Sequence, residues 1–142
     1  MIQIKRAYAP AEAADGGRVL VDRLWPRGMK RDEFKMDEWM KDLGPSHELR
    51  KWFGHRPERW EEFERRYRAE LKAPARQALL RRLADAARVG PVTLLYGAKD
   101  EERNQAVVLA RVLADDFGCE IAVPAGAAVG EDCACLEVSA NR

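Results

Sequence analysis

The fold is decided in VTLLYGAKDEERNQAVVLARVL, residues Val92 to Leu113. Val92 to Tyr96 is short, apolar and partly β-branched, the composition of a strand. Gly97 to Asp100 reads as a tight loop, and Glu101 to Phe117 as a helix that buries Ala106, Leu109, Val112, Leu113 and Phe117. Strand, loop and helix in that order make half of a βαβ unit, whose natural partner is a parallel strand beside the first.

Working toward the N-terminus supplies such partners. Arg18 to Leu24 contains Val19, Leu20 and Val21 in succession, as in a strand covered on both faces. Ile2 to Tyr8 alternates crudely and reads as another strand, separated from the second by the turn signal Asp15-Gly-Gly17. Between these strands and Val92 the pattern is helical. A short helix is expected around Trp39, Met40 and Leu43, ended by Gly44-Pro45. Ser46 is placed to cap the next, which carries Leu49, Trp52 and Phe53 and stops at Gly54; Pro57 suits the first turn of a third, and Pro74 opens a fourth that closes at Gly90-Pro91. Cys119 to Val123 is a candidate last strand. The expected fold class is therefore α/β: a small, mostly parallel sheet flanked by helices, with one domain over residues 1–118 and a loosely ordered, acidic, cysteine-containing tail closing 119–142.

Charge narrows the function classes. The chain has 142 residues and a formal net charge of +1, which argues against a protein that coats polyanions by bulk charge alone. The balance is local: Leu49 to Arg82 holds eleven Lys or Arg against five Asp or Glu, whereas Leu113 to Arg142 holds one Arg against six acids. The N-terminus lacks a signal-peptide pattern and no apolar run reaches the roughly 18–20 residues that span a bilayer, so no membrane partner and a cytoplasmic location are expected. Three cysteines, Cys119, Cys133 and Cys135, are too few and too clustered for a disulfide framework, and too few for a closed zinc site, so no metal is expected.

Ligands of open parallel sheets sit beyond the carboxyl ends of the strands. Two packets occupy such positions: Asp22 to Gly28, and Tyr96 to Asn104. In the first, Arg23 and Arg27 offer planar two-donor forks to a carboxylate or phosphate, Asp22 is a candidate base or an arginine's partner, and Trp25 lines a pocket or packs on the core. In the second, Lys99 and the helix N-terminus favour an anion, but Asp100, Glu101 and Glu102 crowd the same turn, and Asp100 is most simply the helix cap. No Walker or dinucleotide fingerprint is present, and the sequence names no cofactor. The stretch LRKWFGHRPERW, Leu49 to Trp60, mixes bases with aromatics; helical spacing favours core packing for Trp52, Phe53 and Trp60, while His55 is a candidate acid or base and Arg50 a further anion contact.

Three phrases taken together, LVDRLWPRG, LGPSHELRKWFGHRPERWEEFERRYRAEL and VTLLYGAKDEERNQAVVLARVL, closely resemble the YeaO-like branch of the bacterial family known as domain of unknown function 488. The resemblance runs from about Ile2 to Phe117. It implies a small cytoplasmic α/β protein and assigns no activity. The family's signature positions carry over as Asp22, Arg23, Trp25, Pro26, Arg27 and Gly28; as Pro45, Ser46, Leu49, Arg50, Trp52, Phe53, His55, Trp60 and Tyr67; and as Tyr96, Asp100 and Asn104. The layout also looks like that of rhodanese and related phosphatase domains, but their chemistry needs a cysteine where this chain has Tyr96.

The expected function is binding of a small phosphate- or carboxylate-bearing ligand at the strand carboxyl edge. Arg23, Trp25, Arg27, Arg50, Tyr96, Lys99 and Asn104 would contact it, with Asp22 and His55 as acid–base candidates and turnover left open. The alternative is a nucleic-acid-associated or regulatory module that uses the basic helices of residues 50–82. Spacing already weighs against it, because Glu61–Arg65, Glu62–Arg66 and Glu64–Arg68 are helical neighbours able to pair. An adaptor acting through the acidic tail is a third reading.

Overall fold

The structure is a computed structural model that describes residues 1–122. Cys133, Cys135 and most of the acidic tail lie outside the described residues. Five strands form one parallel sheet: β1 (Ile2–Arg6), β2 (Gly17–Leu20), β3 (Glu38–Trp39), β4 (Val92–Tyr96) and β5 (Ile121–Ala122), in the order β3-β2-β4-β1-β5. The helices are α1 (His47–Phe53), α2 (Trp60–Glu70), α3 (Pro74–Val89) and α4 (Gln105–Phe117). The parallel α/β class expected from the strand–loop–helix unit is what the chain adopts.

Strand periodicity divides the core in two. Val19 and Val21 of the β2 segment, Val92, Leu94 and Tyr96 of β4, and Ile2 of β1 share one cluster with residues of all four helices, including Phe53, Phe63, Leu80 and Leu109. Leu20 and Leu95 point the other way and pack with Ala7, Trp25 and Phe34 of connecting segments and with Trp39 of β3. All four helices thus cover one face, and loops cover the other. Right-handed crossovers require this arrangement, because β1→β2→β3 runs across the sheet one way and β3→β4→β5 runs back.

Several local expectations are corrected. The second strand ends at Leu20 rather than Leu24: Val21 N–H still donates to the Leu95 carbonyl at 3.0 Å, and the chain then leaves the ladder. The first strand stops at Arg6, not Tyr8. The helix expected around Trp39 is instead the short strand β3 followed by a 3₁₀ turn over Lys41–Leu43, because β2 offers an open edge and Met40 N–H donates to the Leu20 carbonyl at 2.9 Å. The final helix starts at Gln105, not Glu101. Asn104 is its cap, accepting from Val107 N–H at 3.2 Å, whereas Asp100 caps only the preceding turn, accepting from the Glu102 and Arg103 amides at 2.9 and 3.0 Å. Ser46 caps α1 as read, accepting from Leu49 N–H at 3.1 Å.

Candidate functional site

β2 and β4 are adjacent and parallel, with Leu20 beside Leu95, so the segments that follow them emerge side by side. The outgoing chain of β2 turns to the loop face and that of β4 to the helix face. Diverging connections open a crevice between neighbouring strands. That crevice has a volume of about 950 Å³, and both strand-end packets line it.

Asp22 joins the two packets. Its carboxylate accepts the Gly97 amide at 2.7 Å and the Gln105 side-chain amide, stitching the end of β2 to the loop and first turn that follow β4. Gly97 permits this approach: a Cβ there would lie 2.9 Å from Asp22 Oδ2 and would displace the carboxylate. Burial raises the Asp22 carboxyl to about 6, against the opposing pull of the Gly97 N–H and the positive charge of Arg50. No ion pair offsets that burial among the described residues.

Six of the residues lining the crevice are Arg or Lys, and two are Asp. They are not equivalent. Arg23 is committed to the scaffold, donating to the Pro45 and Gly44 carbonyls at 3.1 and 2.8 Å. Arg6, at the end of β1, holds the loop after β4 through the Ala98 and Gly97 carbonyls at 3.0 and 3.3 Å. Arg103 pairs with Asp100 at 3.5 Å. Arg27 and Lys99 are exposed, and neither side chain has a hydrogen bond or ion pair among the described residues.

Arg50 is the exception among the lining cations. It projects from α1, and its Nε is buried with no hydrogen-bond partner among the described residues, while Nη2 lies 3.2 Å from His47 Nδ1. A buried guanidinium N–H that lacks an acceptor costs free energy unless something else occupies the position.

The remaining candidates divide. His55 is exposed at the crevice and holds a left-handed backbone, φ 58°, directly after the left-handed Gly54 that ends α1. No hydrogen bond joins it to Asp22. Trp25 anchors the loop after β2, donating to the Met29 carbonyl at 2.7 Å and packing edge-on against Phe34 and Trp39 at 5.4 Å, while one edge reaches the crevice. Tyr96 is buried and lines a separate, smaller hollow with Lys5, Arg6, Tyr8 and Glu101. Burial, with the nearby charge of Glu101, pushes its hydroxyl up to about 12. Asn104 lines the crevice while serving as the α4 cap. Sequence reasoning missed Arg6 and Gln105, whereas Arg103 lies within the second packet it singled out.

The basic helices present paired charge. Glu62 binds both Arg65 and Arg66, which lower its carboxyl to about 2; Glu64 binds Arg68 at 3.1 Å and Arg111 at 2.9 Å. Arg59 and Arg66 lie over the Trp52 ring at 5.0 and 4.3 Å. Among the described residues no group of three or more His, Cys, Asp or Glu is placed to hold a metal ion, and no helix is long and apolar enough to cross a membrane.

Residues 1–127 match the family described as the inactive DUF488-N3 subclade, and the chain belongs to that family. Among its relatives, Uncharacterized protein YeaO of Escherichia coli (strain K12) is 50% identical over 109 residues, 77% of this chain and 93% of that one. Uncharacterized protein Rv3073c of Mycobacterium tuberculosis (strain ATCC 25618 / H37Rv) is 43% identical over 112 residues, 79% of this chain and 92% of that one. No solved structure matches the chain.

Proposed function

We propose that the crevice between β2 and β4 binds a small phosphate- or carboxylate-bearing ligand, with Arg50 at its base and Arg27 and Lys99 at its entrance. The observation that carries this reading is the buried Arg50 Nε without an acceptor, on a side chain that lines a cavity where six Arg or Lys stand against two Asp. A guanidinium in that position would donate to an anion's oxygens in a medium where charge-assisted hydrogen bonds are strong. Arg23, expected to share the clamp, shapes the site instead.

Binding without turnover is the form of this proposal that the chemistry favours. Both Asp22 oxygens already accept hydrogen bonds from Gly97 and Gln105, and no hydrogen bond orients His55 as a partner base. The family's description as an inactive subclade points the same way. The nucleic-acid alternative loses support, because Glu62 and Glu64 pair with Arg65, Arg66 and Arg68, three of the bases it would use.

A thermal-shift screen of sugar phosphates, nucleotides and small carboxylates tests the reading. At least one anion should raise the Tm of the wild-type protein, since a ligand that binds only the folded state stabilises it, and that shift should vanish in Arg50→Ala and shrink in Arg27→Ala. Stabilisation that survives Arg50→Ala unchanged would place the anion elsewhere.

A further inference from the structure

The cationic base of the crevice is matched by an apolar mouth. Only four large hydrophobic side chains are exposed among the described residues, Met1, Tyr8, Leu24 and Val89, and two of them, Tyr8 and Leu24, line this crevice. They come from different strands: Tyr8 follows β1 and Leu24 follows β2, the two neighbours of β4.

Neither is loose packing left over from a strand end. The Tyr8 hydroxyl donates to the Arg27 carbonyl at 2.8 Å, which fixes the ring beside one of the free cations, and the Arg6 guanidinium lies 5.0 Å from the ring centre. Leu24 is 58% exposed although its neighbours Arg23 and Trp25 are both drawn inward. Phe53 and Phe63 add apolar surface from the helix side. Exposed apolar groups that converge on one cavity mark a binding surface, whereas scattered ones do not.

Size separates a bare anion from a larger ligand. At about 950 Å³ the crevice lies at the upper end of the roughly 300–1,000 Å³ typical of small-molecule sites. An inorganic anion on Arg50 would leave Tyr8 and Leu24 untouched. Arg50 offers a guanidinium fork, and Arg27 and Lys99, also without an acid partner, add positive potential at the entrance, a field that suits a dianion better than a single carboxylate.

We propose that the ligand is a phosphate monoester carrying a planar ring, its phosphate held by Arg50 and its ring laid between Tyr8 and Leu24 at the crevice mouth. This rests on the anion-binding reading of the same site. Trp25 contributes an edge to the ring's surroundings, with its indole N–H already occupied by Met29.

Phenyl phosphate, inorganic phosphate and phenol, titrated into the full chain and followed by NMR, test the proposal in separable parts. Phenyl phosphate should bind about tenfold more tightly than inorganic phosphate, the order of magnitude for burying part of a ring against aliphatic and aromatic carbon. Leu24→Ser, at an exposed position where folding is not at risk, should remove most of that preference and leave inorganic phosphate binding unchanged. Equal affinities for phenyl and inorganic phosphate, both lost in Arg50→Ala, would overturn the ring proposal and leave the anion site standing. Phenol binding as tightly as phenyl phosphate overturns it too, as does failure of phenyl phosphate to bind the wild-type protein, while the anion reading is decided by the wider screen above.

Discussion

Asp15 and Asp22 flank the same strand, one just before β2 and one just after it, and each stands near an arginine. Asp15 is 4% exposed and saturated: it accepts from Lys5 Nζ at 3.0 Å, from Arg18 Nη1 at 2.5 Å and from the Glu12 amide at 2.9 Å. Burial alone would raise its carboxyl, but the Glu12 amide, Lys5 and Arg18 together hold it below the usual carboxylate range. Asp22 is partly buried against two neutral donors, without an ion pair, and its carboxyl rises to about 6. Its nearby arginine, Arg50, keeps a buried N–H unspent. The amino end of the sheet has used its charges to hold itself together. The carboxyl end has kept some in reserve, which is how a binding site differs from a structural network.

Removing Arg18 should give the largest effect. Arg18 is 7% exposed and also donates to the Lys35 carbonyl at 2.5 Å, so Arg18→Ala leaves Asp15 buried beside one remaining cation and frees the loop that covers the Leu20 face. Urea unfolding should show a loss of about 3–5 kcal/mol, the usual result of breaking a buried pair from one side. A loss below about 1 kcal/mol would mean that Lys5 alone satisfies Asp15, and the contrast between the two ends would disappear.

The pH dependence of stability should distinguish the aspartates by sign. Asp22 has a folded-state value near 6, above the ordinary 3.8, so the folded state binds the extra proton between those values. Stability contributed by Asp22 is therefore fully present below about pH 4 and is lost as pH rises toward 6, by an amount on the order of 2–3 kcal/mol. Asp15 has the opposite sign: its contribution is present above its ordinary value and is lost as pH falls through the lowered one. Asp22→Asn should flatten the decline between pH 4 and 6, and Asp15→Asn should be destabilised at neutral pH and approach the wild type in acid. Denaturant midpoints measured across pH 3–7 check both; parallel curves for Asp22→Asn and wild type would show that Asp22 is not buried as described.

How far this contrast was legible in the sequence depends on which interactions are local. The strand at Val92–Tyr96, the Ser46 cap and the Pro74 start were readable, because each signal lies within a few residues of the structure it specifies. β3 was not, since two residues become a strand only because β2 offers an open edge, and the spacing of Trp39, Met40 and Leu43 suits a helix equally well. The start of α4 was misplaced by one turn, because Asp100, a good cap residue, caps the preceding turn and Asn104 caps the helix. Residues of both packets line one crevice, though Tyr96 does not. Arg6 and Gln105 were invisible, because their approach to that crevice follows from the strand order β2-β4-β1, which no local pattern encodes.

The smallest expected effect is also the sharpest form of the comparison. Arg50→Ala removes an arginine near a wholly or partly buried carboxylate, as Arg18→Ala does, yet it should change stability by less than about 1 kcal/mol, because the Arg50 side chain donates to no backbone carbonyl and completes no ion pair among the described residues. Its effect should appear in titration instead. Arg50 is the charge that opposes the burial of Asp22, so its removal should move the Asp22 carboxyl further above 6, a shift readable by NMR of the side-chain carboxyl. A variant that is nearly as stable as wild type, with Asp22 titrating higher and anion binding gone, would mark Arg50 as a residue kept for a ligand. One that unfolds as readily as Arg18→Ala would make the carboxyl end a structural network like the amino end.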